Sequence, residues 1–358
     1  MLPPMHPLLR LLLPAAGAVA WTAWWRRHYR VEPTADEVCF ARTADGWRLA
    51  LWRWRARGRP VRRHPLLLVH GLAASRVGFD LDPEVSFARH MAERGFEVWA
   101  LELRGHGASD HPRQGTPRGW GWTVDDYLLR DVPAALDLIR ERSGAEAVHW
   151  LGHSLGGILL YSHLARGGEG VRAGVTVGSA LDYSDTPSDF HGLVKLLDLA
   201  RTFPAIPLGQ LSTFSAPLIG RCHNRAEEFN LWPPNVDPEL SRRLHATCFY
   251  PVSSGVLLQL ATMFQSGGFR SADGAARYLD GLARARTPVL ALSGTRDRQC
   301  APAAAERTVA ALQGESLHRA FGKELGHPEH YGHFDLLIGR RAPQETWPVI
   351  HDWLLEHD

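Results

Sequence analysis

The chain has 358 residues and is 45% hydrophobic, enough core for one large α/β domain with an insertion or two modest domains. Its 40 Lys and Arg residues against 38 Asp and Glu leave a net charge of +2, which argues against a nucleic-acid partner held by phosphate electrostatics. Cys39, Cys222, Cys248 and Cys300 are widely spaced and form no CxxC or Cys/His metal pattern. They read as free thiols, with Cys222 and Cys248 the one pair worth testing as a bridge.

The first 30 residues read as a segment apart. Leu11 to Trp25 is an uncharged run rich in Leu, Ala and Trp, extended by Leu8 and Leu9 across Arg10 and closed by Arg26, Arg27, His28 and Arg30. A helix of that length, with Arg10 snorkelling, approaches the thickness of a bilayer core. Trp21, Trp24 and Trp25 sit where an interfacial aromatic belt falls. A membrane anchor is the expectation, and the positive charge after the run places the remainder on the cytoplasmic face. The alternatives are a signal peptide cleaved at Ala18-Val19-Ala20, with export, and an interfacial or buried helix.

Past the anchor, Val38–Phe40 and Trp47–Trp54 read as strands joined by the turn Ala44-Asp45-Gly46, with alternation in the second. The continuous apolar run at 66–69 predicts a strand covered on both faces. A helix over 87–94 ends at Gly95, and a buried strand covers 96–103. The pattern over 124–142 predicts a helix with Thr123 as N-cap and a kink at Pro133. Strand 147–151, a helix after Ser154, and strand 171–177 follow. From 181 to 286 no strand pattern is clear; helices are expected over 190–203, 238–249 and 253–264. Strand 288–292, helix 301–312, strand 316–321 and helix 344–355 complete the chain. This alternation predicts a mostly parallel central sheet with helices on both faces. The units are an N-terminal segment (1–30), a core in two parts (31–180 and 287–358), and a helical cap (181–286) inserted after the sixth strand, over the sheet edge where ligands bind.

The most informative stretch is Gly152-His153-Ser154-Leu155-Gly156, between a strand and a helix. This is the setting of the nucleophile elbow of α/β-hydrolases, which exposes a strained serine at the top of the sheet. A serine hydroxyl needs a base, an acid to orient it, and donors for the oxyanion. In this fold the chain order is Ser, then acid, then His. Asp297, just past the strand at 288–292, is the candidate acid. His333, in Tyr331-Gly332-His333-Phe334-Asp335 before the last helix, is the candidate base, with His327 and His330 as rivals. A three-histidine metal site there fits poorly, because Pro and Gly intervene. Asp335 reads as holding the histidine loop. His70-Gly71-Leu72 follows the third strand, so the backbone N–H groups of Leu72 and Leu155 are the expected oxyanion donors, and His70 shapes the loop. Arg104-Gly105-His106-Gly107 reads as a structural turn.

The segments around the elbow resemble the acid lipases, the gastric and lysosomal lipase family of the α/β-hydrolase fold. Thr43-Ala44-Asp45-Gly46 is similar to that family's T-x-D-G entry, and His70-Gly71-Leu72-Ala73-Ala74-Ser75 to its H-G-L-x-x-S loop. Gly95-Phe96-Glu97-Val98-Trp99, Tyr127 with Asp131 and Pro133, Tyr331 to Asp335, and Ala342-Pro343-Gln344-Glu345 keep the family's order over residues 38–354. The resemblance implies Ser154, Asp297 and His333 as the triad, favours His333 over its rivals, and needs no cofactor. It also points to a bacterial relative. Leu155 departs from the Gln common there, and the cap is only loosely similar. Polyhydroxyalkanoate synthases share related segments but use Cys, so Ser154 argues for hydrolysis. The expected activity is cleavage of acyl esters, of a lipid or lysolipid, through an acyl-enzyme at a membrane surface. The alternatives are an acyltransferase on the same triad and a short-chain carboxylesterase.

Overall fold

The computed structural model describes residues 7–57, 59–113, 119–190, 197–222 and 225–358, the side chains of 7–15 and 199 excepted. Eight strands form the main sheet: β1 (Glu37–Arg42), β2 (Arg48–Trp54), β3 (Leu66–Val69), β4 (Val98–Glu102), β5 (Val148–His153), β6 (Val171–Val177), β7 (Val289–Gly294) and β8 (Ser316–Phe321). Their order is β1-β2-β4-β3-β5-β6-β7-β8. Only β2 runs against its neighbours β1 and β4; the other adjacent pairs are parallel. Every residue of β3, β5 and β7 is buried, as helices on both faces of a parallel sheet require. The parallel register pairs Val69 with Gly152, His153 with Val177, and Leu292 with Val177. The exits of β3, β5, β6 and β7 therefore stand level, and their loops open onto one edge.

The helices are α1 (Pro7–His28), α2 (Phe87–Glu93), α3 (Val132–Ser143), α4 (Leu155–Ala165), α5 (Leu208–Ser215), α6 (Pro238–Thr247), α7 (Ser254–Leu260), α8 (Pro302–Ala310) and α9 (Thr346–Glu356), with shorter turns between. The segment before α3 differs from expectation. Pro133 does not kink a continuous α-helix; Tyr127–Asp131 widens into a π-turn, with the Val132 N–H reaching back to the Tyr127 carbonyl. Proline lacks the N–H an α-helical ladder needs, and the wider turn places it in the first turn of α3. The π-turn also directs Asp131 inward. There the buried Arg104 donates to Asp131 (2.6 Å) and to Asp45 (2.7 Å), joining the β1–β2 turn, the turn after β4 and the helical layer. Burial holds the Asp131 carboxyl up at about 6, against the pull of the Arg104 charge.

Among the described residues between β6 and β7, the regular structure is short helices joined by loops, with one short ribbon, Ala205–Ile206 against Val252–Ser253. Part of the helix expected over 190–203 is present at Leu197–Thr202; residues 191–196 lie outside the described ones. Helix α1 packs its C-terminal half on this layer. Trp21 Nε1 donates to the Phe214 carbonyl (3.1 Å), and Tyr29 is buried with Ala216 and Ala246. Among the described residues no helix is long and apolar enough to cross a membrane; residues 1–6 of the expected anchor lie outside them. All four cysteines are free, Cys222 exposed and Cys248 buried, so that pair makes no bridge.

Candidate active site

Ser154 stands at the exit of β5, one residue before α4. Its backbone is at φ 53°, ψ −116°, a conformation costing about 1–3 kcal/mol for a residue with a side chain. The surroundings hold it there: its N–H donates to the Val177 carbonyl (2.8 Å), and its own carbonyl accepts from Ser179 Oγ (2.9 Å). The flanking glycines are needed for room. A Cβ at Gly152 would run into the backbone of Gly156, and one at Gly156 into the Val69 carbonyl.

Asp297 and His333, 36 residues apart, meet beside this serine. His333 Nδ1 lies 2.7 Å from Asp297 Oδ2, and both side chains are buried. The other Asp297 oxygen accepts from the N–H groups of Gln299 (2.8 Å) and Cys300 (2.9 Å). An ionised carboxylate is an acceptor only, so Nδ1 carries the proton and Nε2 is left with a free lone pair. His333 Nε2 is buried and has no hydrogen-bond partner among the described residues. It borders the cavity that Ser154 lines.

The rival histidines are turned elsewhere. His327 pairs with Glu345 (3.1 Å), and His330 with Glu324 (3.1 Å) while stacking edge-on against Trp232. Asp335 is fully buried and bonded as expected of a loop holder. It accepts from Gly332 N (2.9 Å), Trp232 N (3.1 Å) and Asn235 Nδ2 (3.2 Å). Burial pushes its carboxyl up to about 7 against those donors.

The loop after β3 supplies the opposite wall. His70 Nε2 accepts from the Leu103 N–H (3.1 Å), so its Nδ1 holds the proton and donates to the Gly71 carbonyl (2.8 Å). Burial lowers this imidazole to about 4, which keeps it neutral. A trans peptide sets C=O and N–H on opposite sides. Anchoring the Gly71 carbonyl to His70 therefore turns the Leu72 N–H away from it. Neither the Leu72 nor the Leu155 N–H has a backbone acceptor among the described residues. Leu155 begins α4, where N–H groups are unpaired and the helix dipole is positive. Ala73 and Ser154 are the described non-glycine residues with positive φ, and both belong to this site.

Two cavities meet at Ser154 and His333. The narrow one, about 50 Å³, is lined by Ile158, Tyr183, Leu257, Leu260, Met263 and Phe264. The wide one, about 360 Å³, runs under α5 past Leu208, Leu211 and Phe249. Phe190 and Gln299 border both. The sequence reading missed His153, although it lies inside the elbow pentapeptide. Its buried ring packs on His333 and Phe334 (centroids 4.7 and 4.4 Å) and its Nε2 meets the His333 carbonyl (3.2 Å). Burial and the nearby His333 hold it well below the usual histidine value. Asn230 and Asn235 carried no signal in the sequence, because only the folded cap brings them to the site, and Gln299, in the acid loop, carried none because its partner lies in that cap. Among the described residues one group has donors close enough for a metal ion: His64, His149 and Asp358. It lies at the start of β5, away from Ser154, and the Asp358 carboxylate there already accepts from the N–H groups of Arg63 and His64.

A family model described as the alpha/beta hydrolase fold matches residues 64–339. Lipase lipl-3 of Caenorhabditis elegans is 31% identical over 137 residues, 35% of this chain and 33% of that lipase. The chain thus spans about a third of the length of that curated relative. Among solved structures, a membrane phospholipase A described as a bacterial virulence factor is 22% identical, with a TM-score of 0.59 and coverage of 98% of this chain and 96% of that one. A monoglyceride lipase of Saccharomyces cerevisiae is 16% identical with a TM-score of 0.62, covering 92% and 97%. At those identities the likeness is one of fold.

Proposed function

This chain belongs to the α/β-hydrolase fold family, and we propose that it is a serine ester hydrolase that cleaves acyl esters of a lipid or lysolipid. The observation that carries the reading is the buried Asp297–His333 pair, whose free Nε2 borders the cavity lined by a strained Ser154. In the reaction, Ser154 Oγ attacks the ester carbonyl and His333 Nε2 takes its proton. Asp297 orients the imidazole and stabilises its charged form. The Leu72 and Leu155 amides hold the oxyanion. His333 then protonates the leaving alcohol, and water, activated by the same histidine, releases the acid. The apolar lining of both cavities supports a hydrocarbon chain as the acyl group.

Within the family we place the chain near the acid lipases, as a bacterial relative. The lipase similarity over part of its length and the segments from Thr43 to Glu345 support this. We also place it at a membrane, held through its N-terminal segment with the catalytic part on the cytoplasmic face. The apolar run closed by Arg26, Arg27 and Arg30 supports that. So does the fold shared with a protein named a membrane phospholipase A.

The test is a fluorophosphonate probe with p-nitrophenyl esters from C2 to C16. Ser154→Ala is expected to lose all labelling and to lower kcat at least about 10⁴-fold. Labelling that survives in that variant removes Ser154 as nucleophile. A long-chain optimum with a gain on micelles is expected; a short-chain optimum without one returns the site to a non-lipid esterase.

A further inference from the structure

The elements that form the wide cavity also present an apolar face to solvent. Helix α5 turns Leu208 and Ser212 toward the cavity, while Phe214 is 52% exposed and Leu218, just beyond, 56%. Leu211 does both: it lines the cavity and is 61% exposed, so the cavity reaches the surface there. Helix α1 continues this face. Trp21 packs on Phe214 (centroids 6.2 Å) and donates to its carbonyl, and Trp24 beside it is 56% exposed. Large exposed side chains gathered on two packed elements mark an interaction surface.

The charge at its end narrows the occupant. Arg27 lies three residues from Trp24, one helical turn along α1. No carboxylate among the described residues pairs with Arg27 or with Arg26, which lies over the Tyr250 ring (4.4 Å). Exposed tryptophan next to arginine whose charge no described carboxylate neutralises is the chemistry of a headgroup boundary, where the indole sits between apolar and wet layers and the guanidinium meets anionic lipid. A second copy of the chain fits less well. Seated on this face it would cover the opening at Leu211 and bring no acidic group of the same face to the arginines.

We infer that the face built by the C-terminal half of α1 and by α5 seats on an anionic phospholipid bilayer, with the cavity opening at Leu211 directed into the lipid. This rests on reading the cavity as a lipid-ester site, and it names the source of the ester: a chain drawn from the bilayer beneath the cap. It differs from a membrane tether alone, because the cap itself touches lipid and its orientation is fixed.

The experiment uses the full chain with a bimane label at position 218 (Leu218→Cys in a Cys222→Ser background) and, separately, at position 24 (Trp24→Cys). A control label goes on exposed Leu325 (Leu325→Cys). Each is mixed with phosphatidylcholine vesicles, with and without phosphatidylglycerol, carrying a nitroxide on the lipid chain. Quenching at 218 and 24 is expected to exceed that at 325 at least about threefold in the anionic vesicles, and to fall with Arg26→Glu/Arg27→Glu. Equal quenching at all three positions overturns the inference. So does shielding of 218 without vesicles accompanied by a dimer in ultracentrifugation, which assigns the face to a second copy. Quenching is read without turnover. Its failure is therefore distinct from a failure of the hydrolase reading, which shows as absent ester cleavage and absent fluorophosphonate labelling.

Discussion

Gly71 faces the serine across a gap with no room for a side chain. A Cβ there would stand 2.9 Å from the Ser154 Cβ and 3.1 Å from His153 Nδ1. Neither neighbour can give way easily: Ser154 is pinned at both its N–H and its carbonyl, and His153 is packed on His333. Gly71→Ala should leave the fold intact and displace the nucleophile or the Leu72 amide by a few tenths of an ångström or more. A misplacement on the order of 1 Å costs roughly 100-fold in rate. We expect kcat to fall by about that factor while circular dichroism and thermal unfolding stay near those of the parent. An unchanged kcat rejects the close approach. At this scale the sequence was informative, because Ser154, Asp297 and Leu72 each follow a strand end and His333 precedes the last helix, in a fixed order. What it left out were contacts that depend on rotamers: the His153 ring under His333, and the tautomer of His70 that orients the Leu72 peptide.

Among the elements, the turn at 229–235 has a task of its own. Gln299, two residues past Asp297, donates to the Phe229 carbonyl (2.9 Å), and Phe334, next to His333, donates to the Asn230 carbonyl (2.9 Å). Asp335 then bonds Trp232 and Asn235. One turn of the cap thus holds both the acid loop and the histidine loop. Asp335→Ala leaves the buried Gly332 N–H and the half-buried Trp232 N–H without their acceptor, a loss of about 1–3 kcal/mol for a buried donor and less for the second. We expect urea unfolding to show about 3 kcal/mol less stability and kcat to fall more than KM changes, since His333 is placed less well while the cavity walls are untouched. Loss of stability with kcat intact confines Asp335 to the fold. Sequence periodicity found α6 and α7 within a few residues of their ends, yet it could not find this turn. Its hydrogen bonds are made by backbone carbonyls and amides, which any residue supplies. The π-turn before α3 was hidden for a related reason: Pro133 announces a disturbance but not which way the helix absorbs it.

For the whole molecule, acid sets a limit on stability. His70 and His90 are lowered to about 4 by burial, and His106 and His153 well below the ordinary 6.5. A histidine depressed in the folded chain binds its proton more readily when unfolded. Its contribution is therefore complete above pH 6.5 and is lost as pH falls toward 4. For His70 alone the loss at pH 5 is roughly 2 kcal/mol. The raised carboxyls of Asp131 and Asp335 work the other way, protonating first in the folded chain, but the four histidines outnumber them. Urea unfolding at pH 7.5 and pH 5 should therefore show a net drop, smaller in His70→Gln, and an equal drop in that variant excludes a buried neutral His70. The sheet itself was readable from buried runs such as Leu66–Val69, because a strand covered on both faces leaves no other composition open to it. The packing of α1 on the cap was not readable, since an apolar run looks alike whether lipid or protein receives it. The division of the cap into a foot at 229–235 and walls at Leu208, Leu257, Leu260 and Met263 has a bearing on protein engineering. On the proposed reading, changes in the walls are expected to alter which chain the cavity admits, while the foot keeps Asp297 and His333 in register, so library members varied at the walls should keep turnover and differ in preference.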